Sequence, residues 1–277
     1  MSGNADQIEF WNGPAGQHWA ERQEAMDRTL GSIHPALMAF AAAQRGEHVV
    51  DIGCGSGTTS LALADAVGST GQVTGVDISR PMLNLARRRA GAAGKPVAFV
   101  EGDASVFPFA TEVDLVFSRF GVMFFDQPAK AFENIHRALK PSGRLAFVCW
   151  RPPQENAWVS APMAAARPFL PQTAPADPLA PGPFAFADAD RVKLILTEAG
   201  FRNVRVEPLD TVMNLGGSLD SATQQMLEVG PLARAVAEVD EIARAKIAAA
   251  VRVALEKYTT PDGIGPGAAC WLVGAKA

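Results

Sequence analysis

The segment VVDIGCGSGTT, residues 49–59, has the pattern of a strand end followed by the start of a helix. Three glycines, Gly53, Gly55 and Gly57, alternate through the turn between them. Glycine loses more backbone entropy on folding than any other residue, so three of them in five positions indicate a backbone that turns tightly or approaches another group closely. Where a glycine-rich loop joins a strand to a helix, the group that approaches the backbone is typically a bound nucleotide.

The order of residues in the loop separates the possible ligands. A dinucleotide fingerprint reads GxGxxG, with the pyrophosphate at the helix N-terminus, whereas this loop reads GxGxG. Asp51 lies two residues before the first glycine, where a carboxylate favours a ligand with an ammonium group over a phosphate. The loop lacks the GK[ST] ending of a triphosphate-binding loop, which disfavours ATP. NAD and an ammonium-bearing nucleoside remain as alternatives.

Short apolar runs alternate with segments of helical spacing around this loop. The runs are mostly Val-rich and nearly continuous, which is typical of strands buried on both faces of a parallel sheet. The predicted strands are His48 to Ile52, Val73 to Val76, Val97 to Val100, Val113 to Phe117 and Leu145 to Val148. The predicted helices are Thr58 to Val67, Pro81 to Gly91 and Pro128 to Leu139. This alternation predicts a doubly wound α/β sheet.

The pattern changes after Arg151. Nine of the 20 prolines fall between Pro152 and Pro183, so this span is expected to hold only short helices, such as Asn156 to Ala166. The strands FRNVRVEPL and ACWLVGA follow, separated by a second insertion whose helix buries Ala243, Ile247, Ala250, Val251, Ala254 and Tyr258. The predicted organisation is a cover at 1–31, a core at 32–150, an insertion at 151–187, a core helix and strand at 188–217, a helical insertion at 218–262 and a last strand at 263–277.

Composition excludes several classes of function. The 277 residues carry a net charge of −4 and contain no Lys/Arg-rich run, which makes a nucleic-acid partner unfavourable. The sequence shows neither a signal peptide nor an apolar run of membrane-spanning length, so we expect a cytoplasmic protein. Three cysteines without CxxC spacing predict neither disulfides nor a metal site. The sequence does not distinguish a monomer from a homodimer.

Four segments together carry a family resemblance. VVDIGCGSG, VTGVDIS, VEGDAS and VDLVFSRFG resemble, in order, the motifs of class I S-adenosylmethionine-dependent methyltransferases. The resemblance is nearest to the small-molecule type of ubiquinone and menaquinone biosynthesis, and it covers residues 32–150. It implies a Rossmann-like sheet of seven mostly parallel strands, with helical insertions as a lid.

The resemblance also implies how the cofactor is held. Asp77 is expected to take both ribose hydroxyls, and Asp103 with Ala104 to read the adenine edge. Ile78 and Met82 are expected to enclose the adenine ring, and the stretch from Ser118 to Gly121 to pass beside the methionine part. The full predicted set for S-adenosylmethionine, or for its product S-adenosylhomocysteine, is Trp19, Asp51, Gly53, Cys54, Gly55, Gly57, Thr58, Asp77, Ile78, Met82, Gly102, Asp103, Ala104, Ser118 and Phe120.

The catalytic groups are harder to identify. Methyl transfer from a sulfonium is an in-line displacement, in which alignment alone supplies about 7 to 11 kcal/mol, so a general base is optional. The candidate bases are His18, His34, Glu155 and Asp126. Arg119 and Arg151 follow two strands and are candidates either for gripping a substrate carboxylate or for a salt bridge to an acid of the lid.

The sequence supports three hypotheses of function. The first is transfer of a methyl group to oxygen or carbon of a small apolar or aromatic metabolite. The others are a cofactor-binding protein without transferase activity and an NAD-dependent oxidoreductase. The acceptor site is expected between the sheet edge and the insertions, which supply either its lining or more core: Trp158, Phe169, Phe184, Phe186 and Met226.

Overall fold

A seven-stranded sheet forms the centre of the protein. The computed structural model describes residues 4–110, 112–171 and 177–277. Its strands are β1 (His48–Ile52), β2 (Gln72–Asp77), β3 (Val97–Glu101), β4 (Val113–Arg119), β5 (Leu139–Trp150), β6 (Arg202–Val212), β7 (Thr259–Thr260), β8 (Gly263–Ile264) and β9 (Gly267–Lys276). The order in the sheet is β3-β2-β1-β4-β5-β9-β6, while β7 and β8 pair separately.

The first five strands are parallel, and β9 alone runs antiparallel between β5 and β6. Most side chains of β1 and β4 are buried on both faces of the sheet, as the continuous apolar runs of these strands predict. The doubly wound, mostly parallel seven-stranded sheet expected from the sequence is thus confirmed. The predicted fifth strand, Leu145 to Val148, is part of the longer β5.

Helices cover both faces and the carboxyl edge of the sheet. They are α1 (Ala5–Asn12), α2 (Pro14–Glu21), α3 (Gln23–Thr29), α4 (Ile33–Ala41), α5 (Thr58–Val67), α6 (Arg80–Ala93), α7 (Pro128–Ala138), α8 (Ala157–Ala166), α9 (Ala189–Glu198), α10 (Leu219–Glu228), α11 (Pro231–Ala235) and α12 (Glu241–Glu256). Residues 1–3 of the predicted cover and 172–176 of the first predicted insertion lie outside the described residues.

One hydrophobic core extends from the sheet into the insertions. It joins strand residues such as Phe117 and Phe147 to Trp158 of α8 and to one face of α12. That face consists of Ile247, Val251 and Leu255, all buried. The predicted face is therefore only partly right. Ile247 and Val251 are buried as expected, but Leu255 is buried as well, and the predicted alanines and Tyr258 are only half-buried.

The N-terminal helices are fixed to the carboxyl edge of the sheet by polar contacts. Asn4 Nδ2 donates to Asp103 Oδ1 over 2.9 Å, and Asn12 Nδ2 donates to the carbonyl of Ile78 over 2.7 Å. Ser79, at the start of α6, donates its hydroxyl to the carbonyl of Trp11 over 2.8 Å and does not cap its own helix. In the described residues, no helix has both the length and the apolarity needed to cross a bilayer.

Candidate active site

A cavity of about 250 Å³ lies at the carboxyl ends of the parallel strands. One side, the strand-end wall, consists of the loops after β1, β2 and β3: residues 53–56, Asp77, Ile78 and residues 102–104. A second part of the lining, the apolar chamber, consists of Met26, Leu30, Phe120, Trp150, Trp158, Met213, Met226 and Val229. Open α/β sheets bind their ligands at this edge.

The three glycines of the first loop have different reasons to be glycine. All three have positive φ, of 66°, 53° and 82°. A Cβ on Gly53 would lie 2.6 Å from the Cα of Gly121, and one on Gly57 would lie 2.9 Å from the ring of Phe99. A Cβ on Gly55 would meet nothing nearer than Met82 Sδ, at 3.6 Å. The prediction that all three admit a ligand is therefore wrong for Gly57, which packs against the protein itself and does not border the cavity, whereas Gly55 is open to the cavity.

Asp77 ends β2 in the strand-end wall and is almost fully buried. Its two carboxylate oxygens accept hydrogen bonds from the backbone N–H groups of Gly55, over 2.7 Å, and Ser79, over 2.8 Å. Burial raises the pKa of this carboxyl, and the hydrogen bonds from Ser79 and Gly55 oppose that rise. The carboxylate therefore holds the glycine loop in place while bordering the cavity.

Two buried oxygen acceptors lie at the end of the cavity near α1. Asp103 Oδ1 accepts hydrogen bonds from Asn4 Nδ2 and from the N–H of Ser105, both over 2.9 Å, but its Oδ2 has no partner. Gln7 Oε1 is likewise buried without a partner, one helical turn after Asn4. Both residues border the cavity. Gln7 was not predicted, because a polar residue on a short N-terminal helix carries no motif.

Asp51 does not face the cavity, so the prediction that it meets a ligand ammonium directly is wrong. It is fully buried behind the loop, where one oxygen accepts hydrogen bonds from Thr59 Oγ1, over 2.7 Å, and Ser60 Oγ, over 2.6 Å. Burial raises the pKa of Asp51 to about 6, against the lowering effect of these hydroxyls and of Arg119. Its carboxylate thus anchors the start of α5.

Arg119 borders the cavity and forms an ion pair with Asp27 of α3 at 3.5 Å. Asp27 also accepts a hydrogen bond from Thr58 Oγ1 over 2.7 Å and lies 3.4 Å from Arg89. Burial lowers the pKa of Arg119, and the negative charges of Asp27 and Asp51 counteract this. Arg119 is therefore partnered by an acid of the N-terminal cover. Asp27 was missed because its role depends on where α3 lies in space.

Several predicted catalytic and substrate residues lie elsewhere. His18 Nε2 is 3.8 Å from Glu228 and does not border the cavity. Arg151 is ion-paired with Glu155 and Asp210, and its guanidinium lies 5.0 Å from the centre of the Trp271 ring. Because neither side chain lines the cavity, and Arg151 is ion-paired outside it, we correct their assignments as base and as carboxylate clamp.

The other candidate bases are also off the cavity wall. Glu155 is bound to Arg151, and Asp126 is exposed. His34 does not line the cavity, and burial, followed by the charge of Arg119, lowers its pKa. Among the described residues that line the cavity, the only carboxylates are those of Asp27, Asp77 and Asp103.

Ser118 is a structural residue and not part of the wall. It is fully buried, donates its hydroxyl to the carbonyl of Ile52 over 2.8 Å and accepts from the N–H of Gly121 over 3.1 Å, which joins the ends of β1 and β4. Its predicted contact with the cofactor is therefore corrected. The remaining predicted cofactor residues that border the cavity are Trp19, Gly53, Cys54, Thr58, Ile78, Met82, Gly102, Ala104 and Phe120.

Stacked aromatic rings form one side of the apolar chamber. Phe120 and Trp150 stack with ring centres 4.2 Å apart, and Trp158 lies 4.8 Å beyond Trp150. Phe120 adopts a φ of 63°, which is rare for a bulky residue and is typical of constrained functional positions. Of the other predicted lining residues, Met226 borders the cavity; Phe186 belongs to the core, Phe169 is exposed and Phe184 packs against Trp158.

Comparison with known proteins agrees with this geometry. Residues 49–143 match the family described as a methyltransferase domain. A demethylmenaquinone methyltransferase of Staphylococcus aureus is 32% identical over 181 residues, which cover 61% of this chain and 74% of that protein. An uncharacterised protein of Mycobacterium tuberculosis is 31% identical over 162 residues, 57% of this chain and 58% of that protein, so the match spans less than two thirds of its length.

A solved S-adenosylmethionine-dependent methyltransferase of Aquifex aeolicus has the same fold, with a TM-score of 0.52 at 22% identity over 69% of this chain and 90% of that one. The sheet order and the acids at neighbouring strand ends define a Rossmann-like, nucleoside-binding class of protein. The chain belongs to the class I S-adenosylmethionine-dependent methyltransferases. The NAD-dependent alternative is therefore set aside.

Proposed function

We propose that the protein transfers the methyl group of S-adenosylmethionine to an oxygen or carbon atom of a small apolar or aromatic acceptor. The observation that carries this proposal is that the polar strand-end wall and the apolar chamber border one and the same cavity. A polar nucleoside and an apolar acceptor would thereby lie side by side. The net charge of −4 supports a small molecule over a nucleic acid as acceptor.

The residues of the strand-end wall fit the adenosine part of the cofactor. Asp77 would bind the ribose hydroxyls, and Ile78 and Met82 would contact the faces of the adenine ring. The 6-amino group of adenine has two hydrogens, and the unpartnered oxygens Asp103 Oδ2 and Gln7 Oε1 are two buried acceptors for them. An N–H group that satisfies such an oxygen removes the cost of leaving it unpaired.

The pair of Asp27 and Arg119 suits the amino-acid part of the cofactor. It lies between the helix that follows the glycine loop and the chamber, and its two opposite charges complement an ammonium and a carboxylate. The open face of Gly55 allows close approach of the ligand to the backbone. Asp51 would act indirectly, by holding Thr59 and Ser60 and with them the start of α5.

Alignment and exclusion of water would provide the catalysis. The cofactor, when bound, supplies a methyl group activated by its sulfonium. The chain would hold the acceptor against the aromatic rings of the chamber, and alignment of this kind is worth about 7 to 11 kcal/mol. The cavity-lining carboxylates are assigned to the cofactor or paired with Arg119, so the proposed mechanism assigns no general base. The proton that the acceptor oxygen or carbon loses would pass to water, and S-adenosylhomocysteine would leave as the other product.

The proposal is tested by two measurements on the same protein. Calorimetry should show binding of S-adenosylhomocysteine, and labelled S-adenosylmethionine should transfer its methyl group to at least one member of a panel of phenols, quinols and carboxylic acids. Failure to bind S-adenosylhomocysteine would contradict the cofactor assignment.

A second candidate is a cofactor-binding protein without transferase activity. The observation that favours it is that His18, His34, Glu155 and Asp126 all lie off the cavity wall. Binding of S-adenosylhomocysteine together with no transfer to any compound of the panel would favour this candidate over the first.

A further inference from the structure

Two uncharged polar side chains that border the cavity, Thr29 and Gln225, are hydrogen-bonded to each other beside residues of the apolar chamber. Thr29 ends α3, and Gln225 lies in α10 of the helical insertion, 196 residues later in the chain. Gln225 Nε2 donates to Thr29 Oγ1 over 2.7 Å. Both residues are buried, with 4% and 7% of their surfaces exposed. Their neighbours in the chain, Leu30 and Met226, belong to the chamber itself.

The hydrogen bonds of Thr29 fix the orientation of the Gln225 amide. The hydroxyl of Thr29 has one proton, and its oxygen lies 2.9 Å from the carbonyl of Ala25 and 3.0 Å from that of Asn214, which are both acceptors. With the proton on one of these carbonyls, Thr29 Oγ1 acts as an acceptor towards the NH₂ group of Gln225. A flipped amide would add a third acceptor for the single proton and provide no donor, so the network favours the orientation with Nε2 towards Thr29.

This orientation leaves Gln225 Oε1 as a free acceptor. Among the described residues it has no hydrogen-bond partner, although the residue borders the cavity. Water can satisfy this oxygen while the cavity is wet. An acceptor molecule that fills the chamber displaces that water, and a buried carbonyl oxygen left without a donor is unfavourable. A purely apolar acceptor is thus penalised relative to one that brings a donor.

We propose that Gln225 Oε1 accepts a hydrogen bond from a hydroxyl or N–H group of the methyl acceptor, so that the acceptor is an uncharged aromatic compound bearing such a group. This inference rests on the proposed function. The acceptor is uncharged because Arg119, the only cation among the described lining residues, is already paired with Asp27. Sites built to bind a donor reject analogues that lack it more strongly than apolar pockets reject size variants.

The test compares two probes of similar shape, 2-naphthol and 2-methylnaphthalene, which differ by a hydroxyl in place of a methyl group. Equilibrium dialysis against protein saturated with S-adenosylhomocysteine gives the ratio of their dissociation constants. In Gln225→Met, which keeps the length of the side chain but removes its oxygen, the preference for 2-naphthol is expected to fall at least about fivefold.

Two further variants make the result specific. Thr29→Val removes the group that orients the amide and is expected to lower the same preference by a smaller factor. Thr223→Val is the matched control, because Thr223 is a buried threonine of α10, the helix of Gln225, and does not border the cavity. This variant should leave the ratio of the two dissociation constants unchanged. If Gln225→Met does not fold, Thr29→Val provides the test.

The outcomes separate this inference from the proposed function. An unchanged ratio in Gln225→Met, or in Thr29→Val where that variant stands in for it, would overturn the inference. The inference would also be overturned if neither 2-naphthol nor 2-methylnaphthalene bound to a protein that still binds S-adenosylhomocysteine. In both cases the proposed function would stand. Failure of the wild-type protein to bind S-adenosylhomocysteine would instead remove the proposed function and the inference with it.

Discussion

The two sides of the cavity are built in different ways. The strand-end wall comes from three loops within about 50 residues of one another, each fixed by the strand that precedes it. The apolar chamber comes from α3, α8, α10 and the ends of β4, β5 and β6, which are far apart in the chain. The wall carries buried carboxylates with defined partners, whereas the chamber consists mainly of aromatic rings and methionines. A shared cofactor needs the first type of surface, and an individual acceptor is selected by the second.

The largest expected effect is on the wall. Asp77→Ala should weaken binding of S-adenosylhomocysteine by at least about 10- to 150-fold, because a hydrogen bond to a charged group is worth roughly 1.5 to 3 kcal/mol and two hydroxyls are involved. Calorimetry measures this. Glu101→Ala is the control, since this exposed strand-end carboxylate is bound to Arg80. Equal affinity of Asp77→Ala and the wild type would remove the ribose assignment.

The next prediction separates folding from binding within the wall. Gly53→Ala should lower the free energy of unfolding by about 1 to 3 kcal/mol more than Gly55→Ala, because both have positive φ but only the first meets backbone, at 2.6 Å. Gly55→Ala should mainly weaken cofactor binding. Urea denaturation of both variants measures the difference, and equal losses of stability would show that both glycines serve the same purpose.

A third prediction concerns Asp51, which lies behind the wall. Its pKa is raised from the ordinary value of 3.8 to about 6, so the folded protein holds a proton that the unfolded chain releases between these pH values. The contribution of Asp51 to the free energy of unfolding therefore grows as the pH falls through 6 and is lost as the pH rises through 6. The free energy of unfolding of the wild type relative to Asp51→Asn should increase by about 1 kcal/mol from pH 7 to pH 5.

Chemical denaturation of both proteins at the two pH values measures this difference. A difference that does not change with pH would show that Asp51 titrates normally. A decrease from pH 7 to pH 5 would mean that Asp51 faces a cation more closely than the structure shows.

The smallest expected effect lies in the chamber. Met226→Leu keeps the volume of the side chain, so it should change the KM for the methyl acceptor on the order of threefold while leaving the affinity for S-adenosylhomocysteine unaltered. Labelled methyl transfer to the best compound of the panel measures KM. Phe169→Leu, in an exposed residue of the other insertion, is the control. A change in cofactor affinity would mean that the two surfaces are not separate.

The fold and much of the wall could be predicted because they depend on local sequence. Valine-rich runs and glycine loops specify their own strands and turns, which placed Asp77 and Asp103 at strand ends without knowledge of the rest of the chain. Sequence could not distinguish a glycine that faces a ligand from one that packs against Gly121 or Phe99. Nor could it show that Asp51 is covered by the start of α5.

The chamber could be predicted only in part: Trp158, Met226 and Phe120 were expected near the site, but most of its residues meet only through the packing of distant helices. Asp27, Thr29 and Gln225 carry no motif, and their roles depend on the contact of α3 with β4 and α10. His18 and Arg151 failed as candidates for the same reason. Each is a polar residue near a predicted cleft, but neither lines the cavity, and Arg151 is ion-paired with Glu155 and Asp210 outside it.

The hydrogen bonds of α1 have a consequence for the turnover cycle. Asn4 and Asn12 bind Asp103 and the carbonyl of Ile78, two groups of the surface proposed to hold adenine. We expect spent and fresh cofactor to exchange past this helix, with these hydrogen bonds breaking and reforming in every round. We therefore expect the departure of the product, and not the making of the new bond, to be the step whose speed responds to changes in these two asparagines.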